Sequence, residues 1–326
     1  MSTVRQFMEH HFLHFNSREV LHAAQAYENH LARGGKMLVS LAGAMSTARI
    51  GRILSRLIRE DKVHAISCTG ANLEEDIFNL LAANDYEIIP NWRALSAEDE
   101  QALYDRGMNR VTDTCIPETV MRHLESRLLE QWQQGAANNE TLMPSEYLYR
   151  VLDDKSLQTH FQIPKEDSWM IAAKEKNLPV FTPGWEDSTT GNMFTACIIK
   201  NEVSHHQCVA SGTEQMQRLV SFYQENHGKT EKAPSMGFFQ IGGGIAGDFA
   251  ICAVPLMIQD LQMEDTPFWG YFCQISDAVT SYGGYSGAPP NEKITWGKLD
   301  PDTPKFMINS DATIVAPLMF AYLLND

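Results

Sequence analysis

Residues 36–76, KMLVSLAGAMSTARIGRILSRLIREDKVHAISCTGANLEED, decide the fold. Lys36–Leu41 is a short apolar run that enters the small-residue turn Ala42-Gly43-Ala44, the pattern of a strand followed by a turn. Ala48–Ile58 alternates apolar and basic residues at the spacing of an amphipathic helix. His64–Cys68 is a second apolar run, followed by Thr69-Gly70-Ala71 and a helix opening with Glu74-Glu75-Asp76. Those acids suit either a helix N-terminus or a cation site. Two strand–turn–helix units in succession predict a parallel, doubly wound sheet.

Outward from this stretch, residues 1–35 read as an N-terminal helical segment. Phe7, Phe12, Leu13 and Phe15, then Val20, Leu21, Ala24 and Tyr27, recur at roughly helical spacing, with Ser17 as a cap between two pieces. Residues 90–165 read as polar and helical, with Gln131–Glu140 facing solvent. After them the strand–helix alternation returns. Strands are predicted at Pro179–Thr182, Gly237–Ile241, Trp269–Ile275 and Lys305–Asn309, each ending in small or polar residues. Open α/β sheets bind ligands at such strand C-termini, and Thr69, Asp187, Asp277 and Asp311 recur there. Glu225–Pro234 reads as a surface loop. The expectation is an α/β fold in one domain, 1–326, with a mainly parallel sheet and helices on both faces.

With 326 residues, 44% of them hydrophobic, the chain can bury a core of that size. The net charge is −15 and no Lys/Arg cluster gathers on a plausible helix face, which argues against nucleic acid as a partner. An acidic protein attracts cations, so a polyamine or a basic protein segment is admissible. Cys68, Cys115, Cys197, Cys208, Cys252 and Cys273 form no CxxC pair and read as buried reduced thiols. The first residues lack an apolar core of signal-peptide length, and no apolar run reaches the ~18 residues of a membrane span. A cytoplasmic enzyme is expected, away from the membrane.

Gly242-Gly243-Gly244 after an apolar strand lets a cofactor approach the backbone closely, or simply makes a tight turn; it is no GxGxxG. His10, His11 and His14 with Glu9, and His205-His206-x-Cys208, lack zinc spacing, so no metal is expected. The segment Ser281–Leu299, SYGGYSGAPPNEKITWGKL, is glycine-rich, then proline-stiffened, and ends in Trp296-Gly297-Lys298. If the chain is extended there, Trp296 and Lys298 point the same way. A partly desolvated lysine beside an indole has its amine form favoured, as a Schiff-base nucleophile needs, and an aromatic wall suits an amine cation. On residue types alone, a surface lysine after a turn is the simpler reading.

The following segments together resemble the deoxyhypusine synthase family, over nearly the whole chain after residue 35. They are LAGAM (41–45), TGANLEED (69–76), GMNR (107–110) with IPE (116–118), PVFTPGWEDSTTGNM (179–193), GGG (242–244), SDA (276–278), SGAPPNEKITWGK (286–298) and SDATIVAPL (310–318). The chain is most similar to the bacterial, deoxyhypusine-synthase-like branch. The resemblance implies a Rossmann-like fold, a homotetramer and NAD as cofactor. It implies a reaction in which spermidine is dehydrogenated, its aminobutyl part passes to an active-site lysine, and that group moves to a lysine of a translation-factor precursor. The active-site lysine maps to Lys298 and the flanking indole to Trp296. Glu292 and Ser286 map beside the amine, and Glu74 also falls on the substrate side. Dinucleotide contacts map to Ser46 and Thr47, to Thr69, Gly70, Ala71 and Glu75, to Asp187 and Gly243, and to Asp277, Ala278, Asp311 and Ala312.

Departures from the family fall on the substrate side. Eukaryotic members carry Lys-His-His where this chain has Gly247-Asp248-Phe249, so Asp248 replaces a histidine that assists the redox step. Asn192 and Tyr285 each replace an aspartate that grips substrate, and Tyr282 replaces a neighbouring one. A charge-assisted contact contributes roughly 1.5–3 kcal/mol, so two lost carboxylates change substrate preference unless Asp248 compensates. Transfer to a free diamine, as in homospermidine synthesis, NAD-linked amine chemistry without transfer, and a non-catalytic polyamine- or nucleotide-binding role remain open. Lys293 is the rival nucleophile, set aside because it lacks the pairing with Trp296.

Overall fold

The computed structural model describes residues 3–228, 234–280 and 283–326. Its centre is a sheet of six strands: β1 (Met37–Leu41), β2 (Ala65–Cys68), β3 (Val180–Phe181), β4 (Gly237–Ile241), β5 (Tyr271–Ser276) and β6 (Lys305–Asn309). They lie in the order β3-β2-β1-β4-β5-β6 and every pairing is parallel. All residues of β1, β2, β4 and β5 are buried, as expected when helices cover both faces of a parallel sheet. Leu38, Ala65, Phe238 and Phe272 share a register and pack on one face against the helix Gly212–Asn226 and the segment 245–257. Val39, Ile66, Phe239 and Cys273 point the other way, toward the helices Phe15–Ala32 and Ala312–Leu324. Strand order reverses between β1 and β4, which opens a crevice above their C-terminal ends.

The N-terminal segment divides into helices Val4–His11 and Phe15–Ala32. The first is closed by a capping box of Thr3 and Gln6. Ser17 is not the cap of the second: it lies inside the first turn and its hydroxyl donates to the His14 carbonyl at 2.7 Å. Five of the six cysteines are buried, Cys252 is half-buried, and all are free thiols. Among the described residues no helix is long and apolar enough to cross a membrane.

Residues 90–165 are mostly helical as expected, in Ala97–Asp105, Thr119–Ala137, Pro144–Leu152 and Lys155–Gln158, but hold a hairpin as well. Met108–Val111 and Thr114–Pro117 form an antiparallel hairpin, and Glu87–Ile88 adds a third strand beside Thr114–Pro117. GMNR and IPE are partners across that hairpin, with Met108 opposite Pro117 and Asn109 opposite Ile116. Gln131–Glu140 faces solvent only in part, at Gln133, Gln134, Ala137, Asn138 and Asn139. In the helix Thr119–Ala137, Val120, Leu124, Leu128, Trp132 and Ala136 form one buried row four residues apart. Trp132 meets the edges of Trp185 and Phe194. For the loop Glu225–Pro234, the preceding helix runs to Asn226, and residues 229–233 lie outside the described residues.

Candidate active site

A cleft of about 930 Å³ lies over the C-terminal ends of β1, β4, β5 and β6. Thr47, Gly242, Asp277, Asp311 and Ala312 line it, together with the hairpin turn Val111–Thr114 and Trp92-Arg93. The turn after β1 is held by a buried knot. Asn72 Nδ2 donates to the Gly43 carbonyl at 2.9 Å and to Thr69 Oγ1 at 2.8 Å, while Asn72 Oδ1 accepts from Ser46 N at 2.9 Å. Ser46 Oγ donates to the Asn72 carbonyl and accepts from Trp169 Nε1 at 3.0 Å. Ser46 and Thr69 thus brace the turn from behind and do not line the cleft, and neither do Gly70 and Ala71. Thr47 does line it. Its Oγ1 is buried, on the side of the Glu75 carboxylate. Asp311 caps the 13-residue helix Ala312–Leu324, accepting from Thr313 N at 2.7 Å. The exposed carboxylates of Asp277 and Asp311 and the helix terminus together suit a ligand rich in hydroxyls and phosphates.

The helix carrying the acids starts at Gly70, so Glu74, Glu75 and Asp76 stand beyond its first turn and are buried. Glu74 accepts from the backbone N–H groups of Thr189 at 3.0 Å and Thr190 at 2.7 Å, capping the helix Thr189–Ile199. Glu74 is 3% exposed and both oxygens are engaged. Asp76 holds Ser168 Oγ and Met170 N in the same way. Glu75 accepts from Thr47 N at 3.2 Å, and burial, reinforced by the Glu74 charge, pushes its carboxyl up to about 7. Burial likewise raises Asp76 to about 6.

The sign of the Glu75 effect follows from the raised value. The folded protein keeps this proton between the ordinary 4.5 and about 7, whereas the unfolded chain has lost it. The associated stability is therefore complete below 4.5 and is lost as pH rises through about 7. Glu75→Gln should be close to neutral at pH 5 and stabilising at pH 8, by up to about 3 kcal/mol. Melting temperatures at the two pH values test this; an equal shift at both would contradict it.

A second pocket, about 470 Å³, is lined by Asp248, Tyr285, Glu292, Lys293, Trp296 and Lys298, among others. The loop that carries Tyr285 is tied to the turn after β4. Gln274 Nε2 donates to the carbonyls of Gly242 at 3.0 Å and Ser286 at 3.1 Å. A Cβ on Gly243 would lie 1.7 Å from Ser286 Oγ, so close packing of the Ser286 loop accounts for this glycine without a cofactor contact. The chain around Lys298 is bent, not extended. Trp296 ends the short helix Glu292–Thr295, and Gly297 takes the left-handed φ of 67°. Lys298 N then donates to the Lys293 carbonyl at 3.0 Å. The bend still brings Trp296 and Lys298 to one pocket, although the indole is 65% exposed.

Lys293 is the desolvated amine. Its Nζ lies 4.8 Å from the centroid of the Phe272 ring, and burial, then the Lys298 charge, lowers it to about 8. Asp248 is half-buried; burial raises its carboxyl, and the two lysine charges oppose that rise. Asn192 lines neither cavity, its amide donating to the carbonyls of Glu186 at 3.1 Å and Ser188 at 2.7 Å. Asp187 is exposed on the turn before it and also lines neither. Ala278 N donates to Ser276 Oγ at 3.2 Å, beside Asp277. Tyr282 falls outside the described residues.

A parallel sheet of this strand order, with a polar cleft over its switch point, is the architecture that dinucleotide-binding α/β proteins share. The family is narrower. Residues 6–323 match the family model described as deoxyhypusine synthase, and the chain belongs to the deoxyhypusine synthase family. It is 26% identical over 311 residues to the probable deoxyhypusine synthase 1 of Archaeoglobus fulgidus, covering 95% of this chain and 90% of that protein. A deoxyhypusine synthase-like protein of Nostoc punctiforme is 27% identical over 332 residues, with 99% and 80% covered. A deoxyhypusine synthase candidate solved from Entamoeba histolytica has a TM-score of 0.58 at 13% identity, over 98% of this chain and 92% of that one, a likeness of fold.

Proposed function

We propose that the chain is an NAD-dependent aminobutyl transferase that carries a polyamine-derived fragment on Lys298. The observation that carries the reading is that one chain holds both a polar cleft at the strand ends and a pocket that gathers Lys298, Trp296, Glu292 and Asp248. In the cleft, Thr47, Asp277 and Asp311 would hold the cofactor's hydroxyl groups, and bound NAD would supply a hydride acceptor. The chain's own residues do the rest. Asp248 and Glu292 attract the donor's ammonium groups, Trp296 gives them an aromatic wall, and Lys298 takes the four-carbon fragment as an imine. Spermidine is the proposed donor and a protein lysine the proposed acceptor.

Incubation with NAD and spermidine should release 1,3-diaminopropane. Added putrescine converted to homospermidine would assign the acceptor to free diamines; label appearing on a translation-factor lysine would assign it to protein. No diaminopropane with any triamine would overturn the reading.

A further inference from the structure

The Lys298 pocket contains a second amine that the reaction above leaves unused. Lys293 and Lys298 line the same cavity, and the Lys298 N–H donates to the Lys293 carbonyl, which holds their backbones together. Lys293 Nζ stands over Phe272, which is wholly buried on β5. The other titratable groups facing this space are Asp248, Cys252 and Asp260 from the segment after β4, Tyr285 from the glycine-rich loop, and Glu292. Asp260, Tyr285 and Glu292 are exposed. Two ammonium groups sharing a half-closed cavity repel each other, and the more desolvated one gives up its proton first.

Resting on the reading that Lys298 carries the fragment, we propose that Lys293 is the base that takes a proton from the Lys298 ammonium and returns it to the departing amine. The step balances without oxidant or reductant. The Lys298 ammonium passes one proton to the neutral Lys293 amine. The freed pair on Lys298 Nζ bonds to the carbon of the donor's protonated imine, whose π pair moves onto the donor nitrogen. Lys293 gives its proton to that nitrogen and takes a second one from Lys298 Nζ; the pair so freed forms the new C=N bond as the bond from that carbon to the donor nitrogen breaks, its pair leaving with the neutral amine. The lowered amine of Lys293, at about 8, suits a base working near neutral pH.

The test is the rate of borohydride-trapped adduct on Lys298 between pH 6 and 10, in the wild type and in Lys293→Met. The variant should be about 100-fold slower at pH 7.5 and recover toward the wild-type rate at pH 10, where hydroxide replaces the missing base. Identical pH profiles, or an adduct on Lys293 itself, would overturn the proposal. Competitive acetylation with peptide mass mapping reads the lysines of the wild type without substrate. Lys293 should titrate near 8, well below the exposed lysines; if it titrates with them, it is no base. Absence of any adduct in the wild type would instead count against the transferase reading, while the acetylation result would still decide the state of Lys293.

Discussion

Lys298→Arg is expected to leave no borohydride-stable adduct and to slow transfer by roughly 10⁴-fold or more, the scale on which loss of a nucleophile acts. Arginine keeps the positive charge but cannot present a neutral amine near neutral pH, so the substitution separates nucleophilicity from electrostatics. Hydride removal from the donor does not need the lysine, so NAD reduction with diaminopropane release should survive in part. The two readouts, reduced cofactor and trapped adduct, should therefore come apart. Full transfer in the variant would remove Lys298 from the mechanism.

Gly243→Ala has the second largest expected effect, and a purely steric one. The backbone at Gly243 is not left-handed, so alanine fits its conformation. The new Cβ would fall 1.7 Å from Ser286 Oγ, 2.4 Å from Ser286 Cβ and 3.0 Å from Ser286 Cα, so the loop itself must move. Overpacking of this kind costs about 1–3 kcal/mol, which corresponds to roughly 5- to 150-fold slower adduct formation if the loop must dock for the reaction. Ser286→Gly removes the two nearest atoms, so the double variant should regain most of the lost rate. Wild-type kinetics in Gly243→Ala would show that the loop docks elsewhere.

The central sheet was legible because its strands are short apolar runs closed by small residues. Gly237–Ile241 and Lys305–Asn309 were read to the residue, and Trp269–Ile275 began two residues early. The antiparallel sheet was not legible: Glu87 and Ile88 are exposed and the other strands are four residues each, so no apolar alternation marks them. Because that hairpin was missed, its turn Val111–Thr114 was missed as a wall of the cleft, although GMNR and IPE flank it. Asp277 and Asp311 were legible because strand ends place them directly, whereas Thr47 came only from the family resemblance. The work of Ser46, Thr69 and Glu74 was not, since it depends on partners brought in by tertiary folding, Trp169 and Thr190 among them. Lys293 was set aside because it lacks the pairing with Trp296, a pairing argued for Lys298 from an extended chain. A glycine just past a helix, here Gly297, is a local signal for the left-handed turn that removes that premise.

The strand order also bears on how the chain is made. Leu41 in β1 pairs with Cys68 on one side and with Ile241 on the other. During synthesis from the N-terminus, β1 gains its first neighbour early, while its other edge stays open until β4 emerges. For that interval a strand that ends wholly buried presents unpaired backbone groups, the feature that makes long-range parallel sheets slow to close and prone to wrong pairing. The floor of the cleft closes at the same moment, when the turn after β4 meets the turn after β1. Ala42 N donates to the Ile241 carbonyl at 3.0 Å, and an added Cβ on Gly242 would lie 2.9 Å from the Ala42 Cβ. A nascent chain thus has no complete cleft until its last third is made, and a ligand bound there can stabilise only the finished sheet.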